Sequence, residues 1–457
     1  MSGDAGDLGR ICEDDGWCSV MSSSYTKGRK GGHSVSTSPS SKPAFESPAA
    51  PGVASQPGVV VSRRGADRLH AGHVWVYRSD IAAVNLDEPE AGLTPVYDPR
   101  GTLLGTALFN PASEIVLRWI APEVIGSEAE FLALVQAKLR AAIARRQELL
   151  AMGPESACRL IFSEADALPG VIADKYGELV ILQLASKALD TAAVRAAIVE
   201  VLLDEIGPAT ILERPSPRIR ELEQLSAPPS AVLYSRLDPP LASTNFRLNG
   251  LVFRFDAEGG QKTGAFLDQR ENYEAAARNA HGRALDVCTY QGGFALHLAK
   301  KCERVTGADI SRAALEVADN NLAANRALLG GCEVDWLEAN AFDLLRDWSD
   351  AGERFDTIVL DPPAFAKSKR AAESAVRGYK ELNLRAFKML EAGGTLITCS
   401  CSHHVSLAEF TEVVRSAAGD AGRRARLIER RGAASDHPVI LNIPETEYLK
   451  CLILEVE

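Results

Sequence analysis

The chain has 457 residues, 46% of them hydrophobic and 24% charged, and a net charge of -11. At roughly 150 residues per domain this fits two or three globular domains, and no apolar run approaches the roughly 18 residues that span a membrane. The acidic, Gly-rich start lacks a charged-then-apolar signal pattern, and the nine cysteines include no C-x-x-C pair. A reduced protein in the cytoplasm is therefore expected, not a disulfide framework or a zinc ribbon. Its acidity argues against nucleic acid unless basic residues gather on one face.

Residues 1–57, rich in Ser, Gly and Pro, are expected to be a disordered tail, because they hold too little apolar surface to offset the entropy of ordering. Short strand-like runs fill 58–121, with a hairpin turn at Asp98–Gly101, and predict a small β-barrel. Arg63, Arg64, Arg68 and His70 cluster before its first aromatic strand and read as a solvated basic turn or a nucleic-acid contact. Residues 122–240 predict an α+β unit: a helix over Glu128–Leu150, then strand, turn and strand, then a helix over Thr191–Ile206. Its composition gives no chemistry.

Residues 241–457 alternate strand and helix, which predicts a doubly wound α/β sheet. Ligands bind such sheets beyond the carboxyl ends of the strands. After the first strand comes T-Y-Q-G-G (289–293), whose glycines let a ligand approach a helix amino terminus. Asp309 ends the second strand, placed for a ribose diol or for a solvated helix start. The G-x-G-x-x-G fingerprint is absent, so a dinucleotide fits less well. After the fourth strand, L-D-P-P-A-F-A (360–366) sets Asp361 before a rigid proline lip.

The fifth strand ends in T-C-S-C-S-H-H (398–404). Cys399 and Cys401 share one strand face by period-2 spacing. Cys399, the deeper, suits an inert core thiol, and Cys401 at the tip can meet a substrate. C-x-C-x-H-H is too tight for one tetrahedral metal site.

From Val59 onward the chain resembles the RlmI-like class I S-adenosylmethionine-dependent methyltransferases of large-subunit ribosomal RNA. The matching stretches are G-A-F-L-D-Q-R-E-N (264–272), T-Y-Q-G-G-F (289–294), L-D-P-P-A-F-A-K-S-K (360–369), R-G-Y-K-E-L-N (377–383), S-C-S (400–402), D-H-P-V-I (436–440) and Y-L-K (448–450). The resemblance implies a Rossmann-like methyltransferase sheet preceded by a PUA-like RNA-binding barrel. It implies methylation of cytosine at carbon 5, with Cys401 as nucleophile and Asp361 gripping the base. Cofactor contacts are expected from Gln269, Arg270, Asp286, Thr289, Tyr290, Gly292, Asp309, Ile310, Asn340 and Ala341. Asn340 stands where the family often has an acid facing the adenine amino group, and its side-chain carbonyl is expected to accept there instead. RNA contacts are expected from Arg63, Arg68, Lys367, Lys369 and Arg377, with Arg312, Arg370 and Lys380 nearby. The expected partner is large-subunit ribosomal RNA, with no membrane and no metal, and the reading admits a homodimer. Two alternatives stay open: a guanine-N7 methyltransferase of the same fold, which would lack the S-C-S cysteine, and a non-catalytic RNA-binding assembly factor.

Overall fold

The computed structural model describes residues 56–214, 216–225, 231–257, 265–365 and 372–457. The tail expected over 1–57 lies, up to residue 55, outside the described residues, as do Lys367, Lys369 and Arg370.

The first sheet holds β1 (Gly58–Val61), β2 (Trp75–Tyr77), β3 (Ile81–Asn85), β4 (Gly92–Tyr97), β5 (Leu103–Phe109) and β6 (Ile115–Ala121). They pair in the order β2-β6-β5-β4-β1-β3. The β4–β5 hairpin closes at Asp98, whose side chain accepts from Arg100 N and Thr102 N. The basic cluster is a helix, Arg63–His70, and not the turn expected from sequence. Ser62 caps it by accepting from Gly65 N, an N-cap signal masked by the arginine run.

The second sheet contains β7 (Ala157–Phe162), β8 (Val171–Tyr176), β9 (Leu179–Leu184), β10 (Thr210–Glu213) and β11 (Val232–Ser235), ordered β11-β10-β9-β8-β7. The helix Glu128–Ala144 packs on the helix Ala192–Glu205. A hairpin follows, β12 (Ser243–Leu248) with β13 (Leu251–Asp256). Its inward face puts Phe246 and Phe255 against Tyr176, and Phe255 stacks on that ring at 4.3 Å. Burying each phenylalanine contributes about 1.5–3 kcal/mol, so the hairpin glues the second sheet to the third. Ala284, Val359 and Ile397 of the third sheet share that core.

The third sheet contains β14 (Arg283–Val287), β15 (Arg304–Asp309), β16 (Glu333–Glu338), β17 (Phe355–Leu360), β18 (Leu390–Ser400), β19 (Ala425–Arg431) and β20 (Lys450–Val456). The order is β16-β15-β14-β17-β18-β20-β19, with the first five strands parallel and β20 antiparallel to both neighbours. The order reverses at β14, so a crevice opens there at the carboxyl ends of β14, β15 and β17.

Polar contacts, several of them buried, fasten the barrel to its neighbours. Glu223 and Arg118 have fully buried side chains 2.6 Å apart, and Glu223 also accepts from Asn110 and Ser113. Trp75 Nε1 donates to Glu164 at 2.9 Å. His73 pairs with Glu445, and Asn442 donates to Ala71 O.

Candidate active site

The crevice is lined by Cys288, Ala308, Asp309, Ile310, Asn340, Ala341, Phe342, Pro362, Pro363 and Phe365, and encloses about 650 Å³ including the part open to solvent. Local chemistry builds its rim. Asp286 near the end of β14 is buried and accepts from Thr289 Oγ1 at 2.5 Å and Ala295 N at 2.9 Å, which fixes the turn into the next helix. Burial pushes its carboxyl up to about 7, against the pull of those two hydrogen bonds. Along the turn Cys288, Tyr290 and Gly292 all have positive φ, a strained run for the two non-glycines. Gly307 on β15 is required by packing: a Cβ there would sit 2.4 Å from the Trp336 ring.

Asp309 accepts from Tyr290 N and Ser311 N, each at 2.9 Å, so its carboxylate is aimed by two backbone groups. Burial raises its pKa, and those N–H groups oppose the rise. The carboxylate suits a ribose diol, and Ile310, Phe342, Pro363 and Phe365 suit an adenine ring. The residues present thus fit S-adenosylmethionine. Asn340 lines the crevice and also has a structural role. Its Oδ1 caps the helix Ala341–Ala351, accepting from Phe342 N at 2.9 Å and Asp343 N at 3.4 Å. The carbonyl is spent on the cap, which leaves the amide NH2 as its remaining group for a ligand.

Two expected cofactor residues have partners elsewhere in the fold. Gln269 is buried, and its Nε2 lies 3.0 Å from both Asp361 oxygens, while Asn272 donates to its Oε1. Arg270 donates to Ala157 O and Asp436 and so joins the third sheet to the second. Neither residue lines the crevice. The Q-R-E-N stretch is visible in the sequence, but its partner 92 residues downstream is not.

Asp361 follows β17 directly, and β18 lies beside it, with Leu360 in register with Thr398. Cys399 is fully buried opposite Cys451, and burial lifts its pKa well above the ordinary value, helped by Cys451 and Asp361. Cys401 lies just past the strand, half-buried, with Sγ 4.0 Å from Pro362 O. Tyr379 bonds Ser402 at 2.8 Å on the far side of the tip. His403 and His404 are half-buried. Among the described residues no group of three or more His, Cys, Asp or Glu could hold a metal ion, and no helix is long and apolar enough to cross a membrane.

The basic residues divide. Arg64 and Arg68 turn onto buried Asp80, at 2.5 and 3.9 Å, and Arg68 also covers the Tyr77 ring. Arg312 pairs with Glu316 and Glu338, and Lys380 with Asp420. Arg63 is 92% exposed and only 4.0 Å from Asp67, and Arg377 is exposed.

A seven-stranded sheet of this order, with a glycine turn, an acid ending its second strand and a cleft between, defines a class I methyltransferase. The family described as S-adenosylmethionine-dependent methyltransferase matches residues 203–439, and the one described as PUA-like domain matches 59–122. The chain belongs to this methyltransferase family, with S-adenosylmethionine as its cofactor. It is 37% identical to ribosomal RNA large subunit methyltransferase I of Shewanella denitrificans, over 85% of this chain and 96% of that protein. It is 36% identical to the protein of that name from Tolumonas auensis, over 84% and 95%. A solved SAM-dependent methyltransferase structure from Streptococcus mutans shares the fold at TM-score 0.71 and 19% identity, covering 87% of this chain and 99% of that one. A methyltransferase solved in complex with SAH has TM-score 0.72 at 19% identity, with the same coverage.

Proposed function

We propose that this protein methylates carbon 5 of a cytosine in large-subunit ribosomal RNA through a covalent adduct with Cys401. The observation that carries this reading is the half-buried Cys401 thiol at the tip of β18, 4.0 Å from the carbonyl of the residue after Asp361 and beside the cofactor cleft. Curated relatives named for large-subunit ribosomal RNA support the substrate class.

Carbon 5 of cytosine is a poor nucleophile. Addition of the Cys401 thiolate to carbon 6 pushes the ring electron pair toward carbon 5, which then becomes enamine-like. S-adenosylmethionine, when bound, supplies the sulfonium methyl that carbon 5 takes. Loss of the carbon-5 proton to a base then returns electrons to the ring and expels the cysteine. Asp361, fixed by Gln269, would grip the polar edge of the base and favour its protonated, activated form. Asp309 would hold the cofactor ribose, with Thr289, Tyr290, Gly292 and Asp286 shaping the turn beneath it. Ile310 and Ala341 would flank the adenine. Arg63 and Arg377 are the exposed cations best placed to meet phosphates.

RNA carrying 5-fluorocytosine at the target cannot lose a proton at carbon 5. The native protein and Cys399→Ala should therefore trap it as a denaturation-resistant adduct, and Cys401→Ala should not. Methyl transfer to ordinary RNA that survives Cys401→Ala would sink the cysteine mechanism and favour the guanine-N7 reading. Bisulfite mapping of ribosomal RNA from cells with and without the gene tests the cytosine assignment independently.

A further inference from the structure

Addition to carbon 6 requires a thiolate, and an ordinary cysteine has a pKa near ~8.5, so most of it is protonated at neutral pH. Lys450, the last residue of the Y-L-K stretch, bears on this. It opens β20 directly across from Ser400, in the ladder that holds the Cys401 strand. Its side chain is buried, and its ammonium donates to Ser402 O at 2.7 Å and Tyr448 O at 2.8 Å. Both acceptors are carbonyls, and among the described residues the ammonium forms no ion pair with a carboxylate. A buried cation in that position is costly unless an anion lies close.

We infer that Lys450 is a positioning residue that holds Cys401 as a thiolate, the buried ammonium and the half-buried sulfur forming an ion pair before RNA arrives. This rests on the cysteine reading above and adds the means by which the nucleophile is made. Forming the pair releases the thiol proton to solvent and leaves the lysine protonated. Other groups around the pair fit this role. The Tyr379 and Tyr448 hydroxyls are pushed by burial toward staying neutral, so neither competes as an anion. Glu447 and Glu409 act on Lys450 from the carboxylate side, and His403 and His404 follow Cys401 in the chain. Burial pulls the Lys450 pKa down to about 8, and Cys401 is the first of the charges that draw it back up, ahead of Glu447 and Glu409. The ammonium is therefore charged below about 8, the range in which a thiolate has to be maintained.

The test is iodoacetamide alkylation of the full-length protein across pH, with the Cys401 peptide followed by mass spectrometry and Cys401→Ala as the blank. The native midpoint is expected below ~8.5. Lys450→Met, which keeps the aliphatic stem, should raise it by about one unit or more, and Lys450→Arg should keep it low. The same ordering should appear in the acidic limb of the pH–rate profile. A native midpoint at or above ~8.5, or no rise in Lys450→Met, overturns the inference. The native measurement decides even if Lys450→Met does not fold. Methyl transfer that survives Cys401→Ala would instead remove the cysteine mechanism, and the alkylation midpoints report on the pair regardless.

Discussion

Gln269 Nε2 lies 3.0 Å from each of the two Asp361 carboxylate oxygens. One amide group thus holds the whole carboxylate in plane, and Asn272 holds the amide in turn. The Q-R-E-N stretch therefore orients the carboxylate that the proposed mechanism places on the base, as well as the architecture around it.

Gln269→Ala should remove one anchor of the Asp361 carboxylate while sparing the cofactor cleft. A lost hydrogen bond to a charged group is worth about 1.5–3 kcal/mol, or about 10–100-fold in rate. Steady-state kinetics should show that loss in kcat, with S-adenosylmethionine affinity by calorimetry nearly native. A selective loss of cofactor affinity would return Gln269 to the cofactor.

Asp309→Ala should weaken S-adenosylmethionine binding by about 10–100-fold, because a charge-assisted hydrogen bond disappears. Asp309→Asn keeps one acceptor oxygen for Tyr290 N or Ser311 N and should lose less. Unchanged affinity in a folded alanine variant would misplace the ribose.

Asp436 gives a pH prediction. Burial alone would raise its pKa, but His437, Arg270 and the Arg159 N–H outweigh burial and hold it well below the usual carboxylate range. Its folded pKa is depressed, so its stabilisation is present above the unfolded value of ~3.9 and is lost as pH falls below that. Asp436→Asn should cost about 3–5 kcal/mol near neutral pH, since it strands buried Arg270. Thermal melts from pH 2.5 upward should show a shallower acid decline in the variant than in the native protein. An equal slope in both would mean that other carboxylates control acid unfolding.

Arg377→Gln should weaken RNA binding across sequences and reduce the salt slope of log K by about 1. Arg68→Gln should change neither, because that guanidinium is held between Asp80 and the Tyr77 ring. Filter binding at several salt concentrations separates the two, and a loss of slope in Arg68→Gln would restore Arg68 as a phosphate contact.

The third sheet is legible in the sequence because buried parallel strands read as continuous apolar runs with turn residues at their ends. D-V-C-T-Y-Q-G-G, G-A-D-I and V-L-D-P-P each announce a strand together with its exit turn. Ser311 and Thr191 are legible as helix starts, and both accept the backbone N–H that a cap requires. Long-range pairings are not legible. Asp80, which pairs with Arg64 and draws Arg68 inward, lies beyond the helix that carries them. The Asn340 carbonyl looks available to a ligand in the sequence, yet the helix that Asn340 starts uses it first. The D-H-P-V-I stretch stands out by family likeness alone, whereas its physical role, one carboxylate meeting Arg159 and Arg270, exists only after folding.

Glu223 with Arg118, Trp75 with Glu164, and His73 with Glu445 clamp the barrel on more than one side. Barrel and thiol therefore stand at a set spacing, like the jaws of a caliper. An RNA gripped by the barrel that also offers a base to Cys401 has to bridge that gap in its own folded shape. On the proposed mechanism a short strand with the right letters but no such shape would satisfy only one jaw, so the protein would gauge architecture as well as sequence.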